Sequence, residues 1–148
     1  MAPLITLLAS SIVARIVGWL GVAYVDSWIK AIAVGLAAMF VLTGVAHFVP
    51  PLRGDLIAIV PPRLPARGLL VTVTGVLEFL GAVGLLLPAT RVPAAVCLLL
   101  LMVGMFPANI YAARMPNPPK SMTTRLPLRT AEEIVYLAAA VAVAIGGS

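Results

Sequence analysis

The chain has 148 residues, of which 62% are hydrophobic and only 10% charged, and its mean hydropathy is +1.14. About a quarter of the residues of a soluble domain are charged, so this balance excludes a soluble core, a disordered chain, a coiled coil and a secreted disulfide scaffold. Ten Lys and Arg against five Asp and Glu give a formal charge of +5, and its meaning depends on placement, because basic residues flanking apolar runs report membrane topology rather than nucleic-acid binding.

A helix that crosses a hydrocarbon layer takes about 20 mainly apolar residues at 1.5 Å each. Residues 4–25 form the first such run. Arg15 lies near its middle, but the first ten residues contain no Lys or Arg to form the charged start of a signal peptide, so a retained helix is expected. Residues 29–49 form the second run. The connection after it sets Leu52, Leu56, Ile57 and Val60 at helical spacing between two Pro-Pro pairs, with Arg53 and Asp55 on the other side. Residues 52–60 therefore read as a short amphipathic helix at the membrane interface, the alternative being an irregular Pro-rich loop. Residues 68–87 and 92–112 are the third and fourth runs, and residues 130–145 a shorter fifth. Pro107 removes a helical hydrogen bond, so it should kink the fourth helix or end its regular part beside Asn109. Cys97, in VCLLLL, reads as a small buried hydrophobe.

The connections orient this bundle. Arg53, Arg63, Arg67, Arg114, Lys120, Arg125 and Arg129 lie in the two long loops, against Lys30 and Arg91 on the opposite side. Cytoplasmic loops attract Lys and Arg, so the N-terminus and long loops are expected in the cytoplasm and the C-terminus on the other face. Short turns near Asp26 and residues 88–91 make neighbouring helices antiparallel. The expected fold is a single all-α membrane domain, an up-and-down helical bundle.

Ionisable groups inside apolar runs are expensive, on the order of 3 kcal/mol on insertion scales, and so face the interior, pair, or mark a function. Arg15 and Glu78 lie at similar expected depth with opposite charge, which makes an intramembrane ion pair one reading. Thr74, Gly75, Gly81 and Ala82 lie three or four positions from Glu78 and form a small-residue stripe that should face another helix. Glu78 then either locks the bundle or handles protons. Alternating helix direction gathers a second polar group: His47, Asn109, Glu132, Glu133 and Tyr136, with Phe48, Phe106, Tyr111, Arg63 and Arg67 near its rim. An imidazole, an amide, carboxylates and aromatic walls suit the head of a quinone or another small amphiphile; ordinary interface chemistry is the alternative. Ala31 and Gly35 allow close helix approach within one chain or between copies, so an oligomer stays open. With one Cys and one His, no metal site, dithiol or covalently bound cofactor is expected.

Three segments, GLAAMFVLTGVAHFVPPLRGDLIAIVPPRLP, GLLVTVTGVLEFLGAVGLLLPATR and MVGMFPANIYAA, resemble the DoxX-like integral membrane proteins from about Gly35 to Ala113. The resemblance implies a four-helix core, to which residues 4–25 add an extra N-terminal transmembrane helix. It also implies a bacterial inner-membrane location and a link to thiosulfate:quinone oxidoreductase and other membrane redox complexes. On that reading the chain is a quinone-binding or accessory subunit, with Glu78 handling protons and His47, Glu78, Asn109 and Tyr136 holding the ligand. Its partners would be the bilayer and a redox protein at the cytoplasmic face, not nucleic acid. A transporter or binding protein for small molecules or lipids, and a scaffold without chemistry, are the competing readings.

Overall fold

The computed structural model describes residues 1–147. It is all-helical, with no strand among those residues. The helices are α1 (Ala2–Trp19), α2 (Trp28–Ala46), α3 (Leu52–Ile59), α4 (Arg67–Leu86), α5 (Arg91–Arg114) and α6 (Leu126–Gly146), with single 3-10 turns at Ala23–Val25, Pro88–Thr90 and Lys120–Met122. Four of them, α1, α2, α4 and α5, are long and apolar enough to cross a membrane. The expected fifth run is present as α6, which starts earlier than residue 130. Arg129, Glu132 and Glu133 share its first turns and set it apart from the other four.

The first helix stops well short of Val25. Gly21 takes the left-handed backbone at φ 103°, and the Val22 amide donates to the Val17 carbonyl while the Gly21 amide donates to that of Gly18. This paired closure terminates a helix through glycine however apolar the sequence beyond it. The next helix starts where the Ser27 hydroxyl accepts from the Lys30 amide, an ordinary N-cap. Between Pro51 and Val60 the amphipathic pattern forms α3, as its spacing predicts.

α2, α4, α5 and α6 close a four-helix ring in that order, and α1 packs on α2 outside it. Leu36, Met39, Leu85, Leu98 and Val143 are buried completely at the centre of the ring. The outer faces of the helices carry many exposed apolar side chains, with Leu80, Leu100 and Ile145 63%, 63% and 79% exposed. Patches of that kind mark contact with an apolar surrounding. Ala31 and Gly35 meet α1, not a second copy, and a Cβ on Gly35 would overlap Ser11 Oγ and the Leu7 carbonyl.

Two arginines fasten the ends. Arg91, at the end of the short turn of residues 88–91, is 4% exposed, and its Nε donates to the Leu85 carbonyl at 3.1 Å. A cation there meets the partial negative charge at the end of α4. The Tyr24 ring lies 5.6 Å from that guanidinium, and the Tyr24 hydroxyl donates to the Leu86 carbonyl. At the opposite end Arg53 of α3 donates to the His47 carbonyl at 2.7 Å, the Gly68 carbonyl at 3.2 Å and Thr72 Oγ1 at 3.0 Å. It joins the end of α2 to the start of α4.

Pro107 sits inside α5, which continues through it to Arg114; the helix does not end at the proline as one expectation held. Cys97 is exposed on the outer face of α5, a correction to its expected burial. The VCLLLL run is apolar all round, so its composition does not tell which face turns outward.

Candidate functional site

A chamber of about 460 Å³ opens at the end of the ring where α2 and α5 finish and α6 begins. Met39, Phe40, Leu101, Met102 and Met105 supply apolar walls. Leu52 and Leu56 of α3, Met122 of the following loop and Met1–Pro3 surround its outer part. Ser121 Oγ donates to Asp55 Oδ2 at 2.6 Å, which ties the loop before α6 to α3 across this end.

The deepest polar corner belongs to α2 and α4. The helical repeat puts Thr43 and His47 on one face of α2, opposite Glu78 of α4. Thr43 Oγ1 lies 2.6 Å from Glu78 Oε2 and 3.2 Å from the Met39 carbonyl. His47 Nδ1 lies 2.9 Å from the Thr43 carbonyl and 3.9 Å from Glu78 Oε2. Both His47 and Glu78 are 3% exposed. The close approach depends on Gly75, where a Cβ would come within 2.5 Å of His47 Cβ. The stripe of Gly75, Glu78, Gly81 and Ala82 is thus buried against neighbouring helices, and Thr74 is partly exposed beside it. His47 follows the last residue of α2. Burial above all, with the Arg53 guanidinium behind it, holds its imidazole below the ordinary pKa, although the Thr43 carbonyl bond acts the other way.

A second polar wall comes from α5 and α6. Arg129 Nη1 donates to Asn109 Oδ1 at 3.1 Å, and its Nε donates to the Thr124 carbonyl at 2.9 Å. The α-amino nitrogen of Met1 lies 3.0 Å from Glu132 Oε1. Glu133 Oε1 is buried without a hydrogen-bond partner. Tyr136, one helical turn further, faces the same space.

The structure therefore brings together His47, Glu78, Asn109, Glu132, Glu133 and Tyr136 around one chamber. Phe48, Phe106, Tyr111, Arg63 and Arg67 do not line it; Phe48 stacks on Phe79 at 5.9 Å between centroids. Nor does Arg15 pair with Glu78. Because α1 ends at Trp19, Arg15 lies within five residues of its end, and its guanidinium sits 4.9 Å from the Trp19 ring and 5.9 Å from the Trp28 ring. Long cationic side chains near a helix end reach toward the interface and rest on aromatic faces, and α1 packs on α2 outside the ring, away from Glu78. Thr43 and Arg129 were missed, although Thr43 stands four residues before His47 and Arg129 four before Glu133, the spacing of one helical face. Among the described residues no group of His, Cys, Asp and Glu is arranged to hold a metal ion.

Residues 36–145, about three quarters of the chain, match a family model described as Domain of unknown function (DUF8561). The match runs from within α2 into α6, covering the ring and the chamber's polar corner but not α1. No curated protein and no solved structure matches the chain.

Proposed function

The chain belongs to the DUF8561 family, and from the chamber lined mostly by that family's region we propose that it binds the head group of a small membrane amphiphile, a quinone, as a subunit or accessory of a membrane redox complex. One observation carries this reading: an apolar chamber of about 460 Å³ with a Thr43–Glu78–His47 corner at its inner end. Small-molecule sites of about 300–1,000 Å³ combine apolar walls with a few placed polar groups. In this reading Asn109 and Tyr136 hold the polar head and Glu78 and His47 exchange protons with it. The resemblance to DoxX-like proteins supports the quinone assignment and a four-helix core to which α1 is an addition.

We place the chamber end, the N-terminus and the long loops on the cytoplasmic side of a bacterial inner membrane, with the C-terminus opposite. The bias of Lys and Arg toward the two long loops supports that orientation. The partner would be a soluble redox protein docking at that face. The test is purification in mild detergent, solvent extraction and mass spectrometry of the extract. Quinone retained by the native protein and depleted in both Glu78→Gln and His47→Ala supports the assignment. Equal quinone in all three removes these residues from the site. A different lipid or solute retained in its place favours a transport or lipid-binding role, and a protein partner with neither favours a scaffold.

A further inference from the structure

The hydrogen positions of the inner corner are constrained by its partners. A carbonyl oxygen only accepts, so the 2.9 Å contact of His47 Nδ1 with the Thr43 carbonyl requires the proton on Nδ1. In the neutral ring Nε2 is then an acceptor, and among the described residues nothing hydrogen-bonds to it. The Thr43–Glu78 contact leaves Glu78 Oε1 an acceptor whenever the carboxyl is ionised or carries its proton on Oε2. If Glu78 is ionised, Thr43 donates its single proton to Oε2. If Glu78 carries a proton on Oε2, it donates to Thr43 Oγ1, which turns its own proton to the Met39 carbonyl 3.2 Å away. In both cases Oε1 is left as an acceptor. In the corner, His47 Nε2 is therefore an acceptor throughout, and Glu78 Oε1 is a second one unless it carries the carboxyl proton itself.

We infer that this corner selects a ligand whose head group donates hydrogen bonds, so that the chamber takes the hydroquinone form in preference to the quinone. This rests on the quinone reading above and sharpens it. A quinone offers only carbonyl acceptors and, seated at the inner corner, would leave His47 Nε2 unpaired inside an apolar wall, and Glu78 Oε1 with it whenever that oxygen is an acceptor. An unsatisfied buried acceptor is more costly than a satisfied one is favourable, and even one of them corresponds to an affinity difference of about tenfold. An alkylammonium head group also donates, but it would bring a net charge into a chamber lined by Arg129 as well as by Glu78, Glu132 and Glu133. A neutral pair of hydroxyls meets the acceptors without that conflict.

The test uses the purified full chain in nanodiscs, under anaerobic conditions, titrated calorimetrically with decyl-benzoquinone, its hydroquinone and the hydroquinone dimethyl ether. The ether keeps the ring and both oxygens, adds a methyl to each and lacks the donors. The expected result is hydroquinone affinity at least tenfold above that of both other ligands. Equal affinity for quinone and hydroquinone, or an ether that binds as well as the hydroquinone, overturns the selection while leaving quinone binding in place. Binding of none of the three overturns the quinone reading and this inference with it.

Discussion

Thr43 Oγ1 and Glu78 Oε2 meet at 2.6 Å across the interface of α2 and α4, and the two residues depend on each other unequally. Without Glu78, the Thr43 hydroxyl keeps the Met39 and Phe40 carbonyls at 3.2 and 3.4 Å. Without Thr43, the buried carboxyl loses the hydroxyl hydrogen-bonded to it. Thr43→Val should therefore destabilise by about 1–3 kcal/mol, and Glu78→Leu should cost less. Adding Glu78→Leu to Thr43→Val should recover part of the loss. Thermal denaturation in detergent of the two single variants and the double variant measures this; strictly additive effects contradict it.

At the α1–α2 contact, Gly35→Ala would push its methyl into Ser11 Oγ and the backbone of Leu7. Overpacking of this kind costs about 1–3 kcal/mol, and α1 should become the first segment released by limited proteolysis. Gly104→Ala in α5 meets nothing within 4 Å and should be neutral or stabilising by up to about 1 kcal/mol.

Arg53 holds three acceptors with a planar fork that an ammonium cannot reproduce. Arg53→Lys should lower stability by about 1–3 kcal/mol and speed amide hydrogen exchange in residues 52–60. Unchanged exchange there would mean that α3 is held by its apolar face alone.

Cys97 lies six residues into α5, about 9 Å from Arg91 at 1.5 Å per residue, and faces outward. In detergent the folded protein should react with N-ethylmaleimide without denaturation. In liposomes a charged, membrane-impermeant maleimide should leave it unlabelled. Rapid labelling by the charged reagent would place this face of α5 in water.

The depressed pKa of His47 makes stability depend on pH in one direction. The unfolded imidazole titrates near 6.5. Because the folded ring binds its proton less readily, its contribution is fully present above that value and is lost as pH falls through the lower folded value. The melting temperature of the wild type minus that of His47→Gln should decrease as pH drops below about 6.5. A difference that grows on acidification would reverse the assignment.

Much of this was legible from periodicity. The helices, the short amphipathic α3 and the outcome that alternating directions bring His47, Asn109 and Tyr136 to one end all follow from apolar runs and connection lengths. What misled was treating hydropathy as helix: the run through Val25 is continuously apolar, but Gly21 and the backbone bonds around it end α1 at Trp19. That boundary puts Arg15 beside Trp19 near the end of α1, and the packing of α1 on α2 outside the ring keeps it from Glu78. Rotation about a helix axis was equally hidden in runs without polar contrast, which is why Cys97 was assigned to the wrong face. Gly68 and Thr72, which Arg53 meets, and Asn109, which Arg129 meets, lie 15 to 20 residues away, beyond the reach of local spacing.

The fate of the basic side chains sharpens the electrical picture of the two ends. Arg53 and Arg129 are spent on internal acceptors, and on the other side Arg91 is buried while Lys30 is held by Asp26 at 2.8 Å. Arg63, Arg114, Lys120 and Arg125 remain exposed, with Arg67 partly so, all at the chamber end. With Arg15 resting on Trp19 and Trp28 at the opposite pole, the molecule presents most of its free cations at the chamber end. A negatively charged head-group layer should grip the pole that surrounds the chamber's mouth more strongly.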